Sequence, residues 1–230
     1  MTSVSHPSNA TAQDFVTWAA ETFDDRLALA CSASVEDSVL VHLAAHTGKA
    51  IRVFMLDTGR LHPETYETFE RLRVKYPALR FEIFAPEASE VEALVKDQGL
   101  FGFRDSVTER KTCCEVRKLR PLARALAGSD AWLTGLRREQ SPTRTELSPV
   151  APDGGSPERT KIAPLLDWTL DQVWDFAKAN RIPTHPLHLA GFPSIGCAPC
   201  TRAIEPGEEF RAGRWWWEQP EHKECGLHRR

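Results

Sequence analysis

No stretch of this sequence approaches the roughly 18 consecutive apolar residues of a membrane-spanning helix. Net charge is nearly absent as well, at −3 over 230 residues. The first lack excludes an integral membrane protein of the helical kind. The second removes the basic excess with which proteins grip nucleic acid or an anionic membrane surface, so neither is an expected partner. Residues 1–9 are polar and carry no apolar signal centre, and the expectation is a cytoplasmic protein with reduced thiols. Internal repeats and low-complexity tracts are absent. Glycine is missing from Ser32–Asp37, where a glycine-rich phosphate loop would have it. What is there is 41% hydrophobic and 27% charged residues, an ordinary composition for one domain, 1–230, with a full core.

The pattern alternates strands with helices. Phe15, Trp18, Ala19 and Phe23 fall at helical spacing and predict an amphipathic helix over Thr11–Phe23. Short apolar runs predict strands at Arg26–Cys31, Ile51–Leu56, Arg80–Phe84, Ala131–Thr134 and Lys161–Leu166. Between and after them, helices are expected at about Val39–Ala45, Glu64–Lys75, Ser89–Asp97, Glu115–Leu126 and Thr169–Asn180. Such alternation implies an α/β fold, an open and mostly parallel sheet with helices on both faces. Ser148–Arg159, rich in Pro, Gly and Ser, reads as an exposed loop. After Arg181 the periodicity fades, and the last quarter reads as a C-terminal extension. The segments are then 1–25, helical; 26–182, nucleotide-binding core; and 183–230, the extension.

Three loops follow strand ends, where open parallel sheets bind ligands. Ser32–Ser38 is a polar strand-to-helix turn suited to an anion, though Ser and Asp also favour helix starts for capping alone. Asp57–Pro63 is the second. The third, Gly135–Arg144, is rich in arginine, which suits phosphate or sulfate; a solvated basic loop is the plainer alternative for any one of its arginines.

Six cysteines carry the strongest chemical signal. Cys113 and Cys114 are adjacent, and Cys197-Ala198-Pro199-Cys200 has the spacing of a metal knuckle. In a reducing compartment two such pairs point to metal rather than to disulfides. Spacing does not separate zinc from an iron–sulfur cluster. Cys31 ends an apolar strand and reads as a small buried hydrophobe. Cys225 stands apart, the sixth residue counted back from the last and beside His228, in a place suited to a reactive thiol.

These motifs coincide in one order: Ser32-Ala33-Ser34-Val35-Glu36-Asp37, Leu56-Asp57-Thr58-Gly59-Arg60, Cys113-Cys114-x₂-Arg117-Lys118, Thr134-Gly135-Leu136-Arg137-Arg138-x-Gln140-Ser141, Gly196-Cys197-x₂-Cys200-Thr201, Arg211-Ala212-Gly213-Arg214-Trp215-Trp216 and Glu224-Cys225-Gly226-Leu227-His228. From about residue 26 onward the chain closely resembles the assimilatory adenylyl-sulfate (APS) reductases of the phosphoadenylyl-sulfate (PAPS) reductase family. Val35 departs from the small residue usual at its position.

The resemblance implies an adenine nucleotide α-hydrolase-like fold. It implies reduction of APS to sulfite and AMP through an S-sulfonated cysteine, with thioredoxin as electron donor. Cys225 would be the nucleophile. Cys113, Cys114, Cys197 and Cys200 would hold one [4Fe–4S] cluster that supports the site rather than carrying electrons. Lys118, Arg211, Arg214 and His228 would contact the phosphosulfate. Ser32 and Ser34, the turn Asp57, Thr58, Gly59 and Arg60, and Gly135, Arg137, Arg138 and Arg144 would line the nucleotide pocket. The paired cysteines favour APS over PAPS, with acceptance of both as the alternative. A homo-oligomer is left open. An ATP-dependent thiolation enzyme of the same superfamily would want a Ser-Gly-Gly-type loop, which is absent. A non-catalytic zinc module would leave Cys225 and the arginines without a role.

Overall fold

The computed structural model describes residue 7 and residues 10–140 and 147–219. The chain opens on α1 (Ala12–Phe23), whose N-terminus is closed by Thr11 and Asp14 in a reciprocal capping box. Then follow β1 (Leu27–Ala30), α2 (Val35–Ala45), β2 (Arg52–Leu56), α3 (Pro63–Lys75), β3 (Arg80–Phe84), α4 (Ala88–Gln98), α5 (Val107–Cys114), α6 (Arg120–Ala125), β4 (Ala131–Leu133), β5 (Val150–Asp153), β6 (Ser156–Ile162) and α7 (Leu170–Ala179). The six strands lie in the order β3-β2-β1-β4-β6-β5. All neighbours are parallel except β5 and β6. Among the described residues no helix is long and apolar enough to cross a membrane.

Both faces of the sheet are covered, and the strand residues divide by parity between two cores. Leu27, Leu29, Val53, Met55, Ala131 and Leu133 pack with α1, α2 and α7. Ala28, Phe54 and Trp132 face the other way, against Ala125 and Leu126. Alternate side chains of a strand point to opposite faces, and a parallel sheet buried on both sides therefore reads as a continuous apolar run. The chain leaves β1 toward β2 on one side and returns to β4 on the other. The crevice at the carboxyl ends of β1 and β4 is thus a topological switch point, the place where such sheets take ligands.

Four stretches differ from the expectation, the first being the strand expected at Lys161–Leu166: β6 lies earlier and ends at Ile162, and 164–167 is a turn. α2 starts at Val35, not Val39, because Ser34 caps it and accepts from the Asp37 N–H at 3.5 Å. Glu36 and Asp37 therefore occupy its first turn, where the helix dipole favours carboxylates. Ser148–Arg159 is not an exposed loop: Gly154 and Gly155 turn a hairpin between β5 and β6, with Asp153 opposite Ser156. Pro152 is tolerated there because β5 is the sheet's edge. Finally, the helix expected from Glu115 begins at Val107. It runs through both cysteines and a π-helical turn, Glu115–Leu119, before continuing as α6.

Candidate functional site

A cleft of about 190 Å³ opens at the switch point. Its apolar lining comes from the sheet and α6: Ala30, Phe54, Met55, Leu122 and Trp132. Ser32, Ser34 and Gly135 line it from the loops after β1 and β4, and Lys118, Arg211 and Arg214 bring positive charge. Of the residues expected to contact substrate, these six share one cleft.

The loop after β1 is held by Asp37. Its carboxylate accepts from the Ser32 N–H at 2.7 Å and from the Ser32 hydroxyl at 2.6 Å. Burial pushes the Asp37 pKa up to about 6, opposed by the two Ser32 hydrogen bonds. Gly135 fits against this pair because it has no side chain: a Cβ there would overlap Asp37 Oδ1 and stand 2.9 Å from Glu36 Cβ. Cys31 also lines the cleft, and burial with the nearby Asp37 pushes its thiol pKa up, away from the reactive thiolate.

Arg137 and Arg138 serve the scaffold. Arg137 is buried and donates Nε to Glu36 at 3.0 Å and Nη1 to Glu139 at 3.0 Å. Gln140 completes the shell on Glu36, also at 3.0 Å. Arg138 donates to Asp167 at 2.6 Å, near the surface. Neither lines the cleft. Arg144, Cys225 and His228 lie outside the described residues.

Cys113, Cys114, Cys197 and Cys200 line one second, smaller cavity, beside Arg60, Arg110, Arg117, Lys118, Arg214 and Trp215. α5 supplies the first pair and a 3₁₀ turn, Ala198–Cys200, helps present the second. Burial and the neighbouring cysteines push the Cys200 thiol up to about 12. Burial also raises Cys113, against the opposing pull of Arg117 and Arg60. Among the described residues no three His, Cys, Asp or Glu side chains meet the spacing for a single metal ion.

Of the turn after β2, Arg60 lines this cavity and Leu61 lines the cleft, while Asp57, Thr58 and Gly59 line neither and hold the turn in place. The Thr58 hydroxyl and Cys197 Sγ form a hydrogen bond of 3.2 Å. Arg117 donates to the Thr58 carbonyl at 2.8 Å, and the Ala198 N–H donates to the Arg60 carbonyl at 2.8 Å. Asp57 shapes the turn by accepting from the Gly59 N–H at 2.8 Å and the Tyr66 hydroxyl at 2.7 Å. Gly59, at φ +68°, lies over Arg117, which a Cβ would approach to 3.4 Å. Arg60 stacks on Phe103, 4.9 Å from the ring centre. Lys118, Cys197 and Arg214 line both cavities, which therefore share a wall.

Sequence reading left Arg110, Arg117, Trp215 and Gly196 out of the site. The signal for the two arginines is their placement on the cysteine helix, three residues before and after the pair. Gly196 and Trp215 carry no such local sign.

Residues 26–203 match the model of the phosphoadenosine phosphosulfate reductase domain. The chain is 52% identical over 206 residues to the adenosine 5′-phosphosulfate reductase of Allochromatium vinosum, spanning 90% of this chain and 80% of that one. It is 49% identical to the enzyme of the same name from Neisseria meningitidis serogroup B, over 87% and 81% of the two chains. With the chloroplastic 5′-adenylylsulfate reductase 3 of Arabidopsis thaliana it shares 44% identity over 96% of its length, about half (49%) of the plant protein. The fold matches the solved phosphoadenylyl-sulfate reductase of Candida auris with a TM-score of 0.71, at 24% identity and over 85% and 91% of the two chains. It also matches Candida glabrata FMN adenylyltransferase at 0.56, at 13% identity and over 95% and 80%, and is thus adenine nucleotide α-hydrolase-like. With the matched region running from β1 through both cysteine pairs, this chain belongs to the phosphoadenosine phosphosulfate reductase family.

Proposed function

We infer that this protein reduces adenosine 5′-phosphosulfate to sulfite and AMP, in assimilatory sulfate reduction. The observation that carries the reading is the shared wall: Lys118 and Arg214 face both a cleft with an apolar lining and the cavity of four cysteines. The apolar lining suits an adenine ring. Lys118, Arg211 and Arg214 suit the two anionic groups of the phosphosulfate, and arginine can bind an oxyanion through two parallel hydrogen bonds. The Cys225 thiolate attacks the sulfur. The S–O bond to phosphate breaks, and AMP departs with the bonding pair. The bound sulfonate then leaves as sulfite when a dithiol, thioredoxin, reduces the cysteine and itself becomes a disulfide. His228 and the cleft cations screen the negative charge that opposes the attack.

The cysteine cavity fits an iron–sulfur cluster. Arg117 Nε, Arg214 Nε and Trp215 Nε1 are buried N–H donors without a partner among the described residues, and all three residues line it. Such donors suit the acceptor sulfurs of a cluster, and cations offset its negative charge. Cys113, Cys114, Cys197 and Cys200 would hold one [4Fe–4S] cluster, which would supply a centre of negative charge beside Arg117, Lys118 and Arg214. Cluster-binding cysteines and a thiol-reducing step fit a cytoplasmic setting, where thiols stay reduced.

The test is anaerobic purification followed by assay with APS and thioredoxin. The protein should be brown, with broad absorption near ~400 nm, and should release sulfite. Without thioredoxin it should release AMP and gain one SO₃ on the peptide containing Cys225. Colourless, fully active protein holding zinc removes the cluster. Equal or better turnover of PAPS overturns the substrate, and no AMP from either compound overturns the reaction.

A further inference from the structure

Arg110 lies on α5 one turn before Cys114, and Glu218 lies next to the last residue of the described chain. The two side chains meet at two points: Arg110 Nε donates to Glu218 Oε1 at 2.9 Å, and Nη2 to Oε2 at 2.7 Å. They are 1% and 3% exposed. The Arg110 guanidinium also stands 4.7 Å from the Trp215 ring centre, and that of Arg214 stands 4.6 Å from the same ring. Trp215 holds a φ of +40°, which a bulky residue adopts only where its surroundings impose it. The Glu218 N–H donates to the Trp215 carbonyl at 2.8 Å, fastening this turn to the pair.

A buried ion pair stabilises little more than an apolar pair of the same shape, so stability does not explain one here. What a guanidinium fork on a carboxylate supplies is a single geometry. Cys225 is seven residues beyond Glu218, a length that spans at most about 25 Å.

We propose that the Arg110–Glu218 pair is a positioning clamp: it fixes Glu218, the point from which the chain continues to Cys225, and so bounds how far that thiol can lie from it to about 25 Å. The inference rests on Cys225 being the nucleophile. Because Arg110 and Cys114 share one helix turn, the clamp also ties the base of that segment to the cysteine cavity. Neither residue lines the substrate cleft, so the clamp does not itself touch substrate.

The test compares wild type with Glu218→Gln, which keeps size and removes charge, and Glu218→Asp, which keeps charge and shortens reach. The readouts are AMP release in a single turnover without reductant, KM for APS, iron content, and the rate of tryptic cleavage after Arg214. For Glu218→Gln, single-turnover AMP release should fall about tenfold or more, as small misplacements of reacting groups do. KM should stay within about twofold, because uniform binding is untouched. Iron content should match wild type, cleavage after Arg214 should quicken, and Glu218→Asp should recover part of the rate. Wild-type single-turnover rates in Glu218→Gln overturn the clamp, as does a fall in rate matched by loss of iron and a rise in KM. Should Glu218→Gln not fold, Glu218→Asp decides by the same split. Wild-type protein that releases no AMP refutes the functional reading instead; the cleavage rate after Arg214 needs no substrate and still decides whether the pair fastens the segment.

Discussion

Gly196 and Arg214 occupy one another's space. A Cβ on Gly196 would overlap the Arg214 guanidinium, with Nη1 2.9 Å away, and Arg214 donates to the carbonyl of Ile195 at 3.0 Å. The missing side chain lets a buried cation lie flat against the loop that leads into Cys197, between the two cavities. Gly196→Ala should therefore displace Arg214. The overpacking costs about 1–3 kcal/mol, read as a fall in urea midpoint, and kcat/KM for APS should fall with it. An alanine variant with wild-type stability and activity refutes the relationship.

Arg137 and Arg138 are neighbours in sequence with unequal roles. Arg137→Ala leaves Glu36 buried without its cation, a loss worth about 3–5 kcal/mol for a broken buried pair. Arg138→Ala breaks a pair whose partner Asp167 is 70% exposed and should cost under about 1 kcal/mol. Urea denaturation of the two variants checks the contrast, and equal losses contradict it.

Asp37 sets a pH dependence. Its folded-state pKa, about 6, lies above the ordinary 3.8. Between these values the folded protein keeps a proton that the unfolded chain has released, so this group's contribution to stability is lost as pH rises through that window. Asp37→Asn removes the effect. Its stability relative to wild type should rise between pH 4 and pH 7, by an amount on the order of 1–3 kcal/mol. A difference that is flat or falls over that range contradicts the assignment.

Thr58 joins the turn after β2 to the knuckle. Thr58→Val keeps the shape and removes the hydroxyl from Cys197 and from the Arg60 N–H, which donates to it at 3.3 Å. The cost should be about 1–2 kcal/mol. In metal-free protein, alkylation of Cys197, followed by mass, should quicken more than that of Cys114. Unchanged alkylation at Cys197 removes the hydroxyl's role.

The strands and the order of the motifs were legible in the residues themselves, because both depend on near neighbours. Arg26–Cys31 reads as a strand from its short apolar run alone, and Cys197-x₂-Cys200 needs only one turn to present two thiols. The hairpin through Gly154-Gly155 was legible in principle, but its prolines argue against strands unless the edge position is known, and an edge is a property of the whole sheet. The roles of the arginines were decided only by the tertiary structure. A guanidinium after a strand suits a ligand or a carboxylate equally, and the partner that settles it is distant: Glu36 lies 101 residues from Arg137, and Glu218 lies 108 from Arg110. Burial then determines the outcome, since a charge removed from water must be paired, and which charges meet in the interior is fixed by packing rather than by any local pattern.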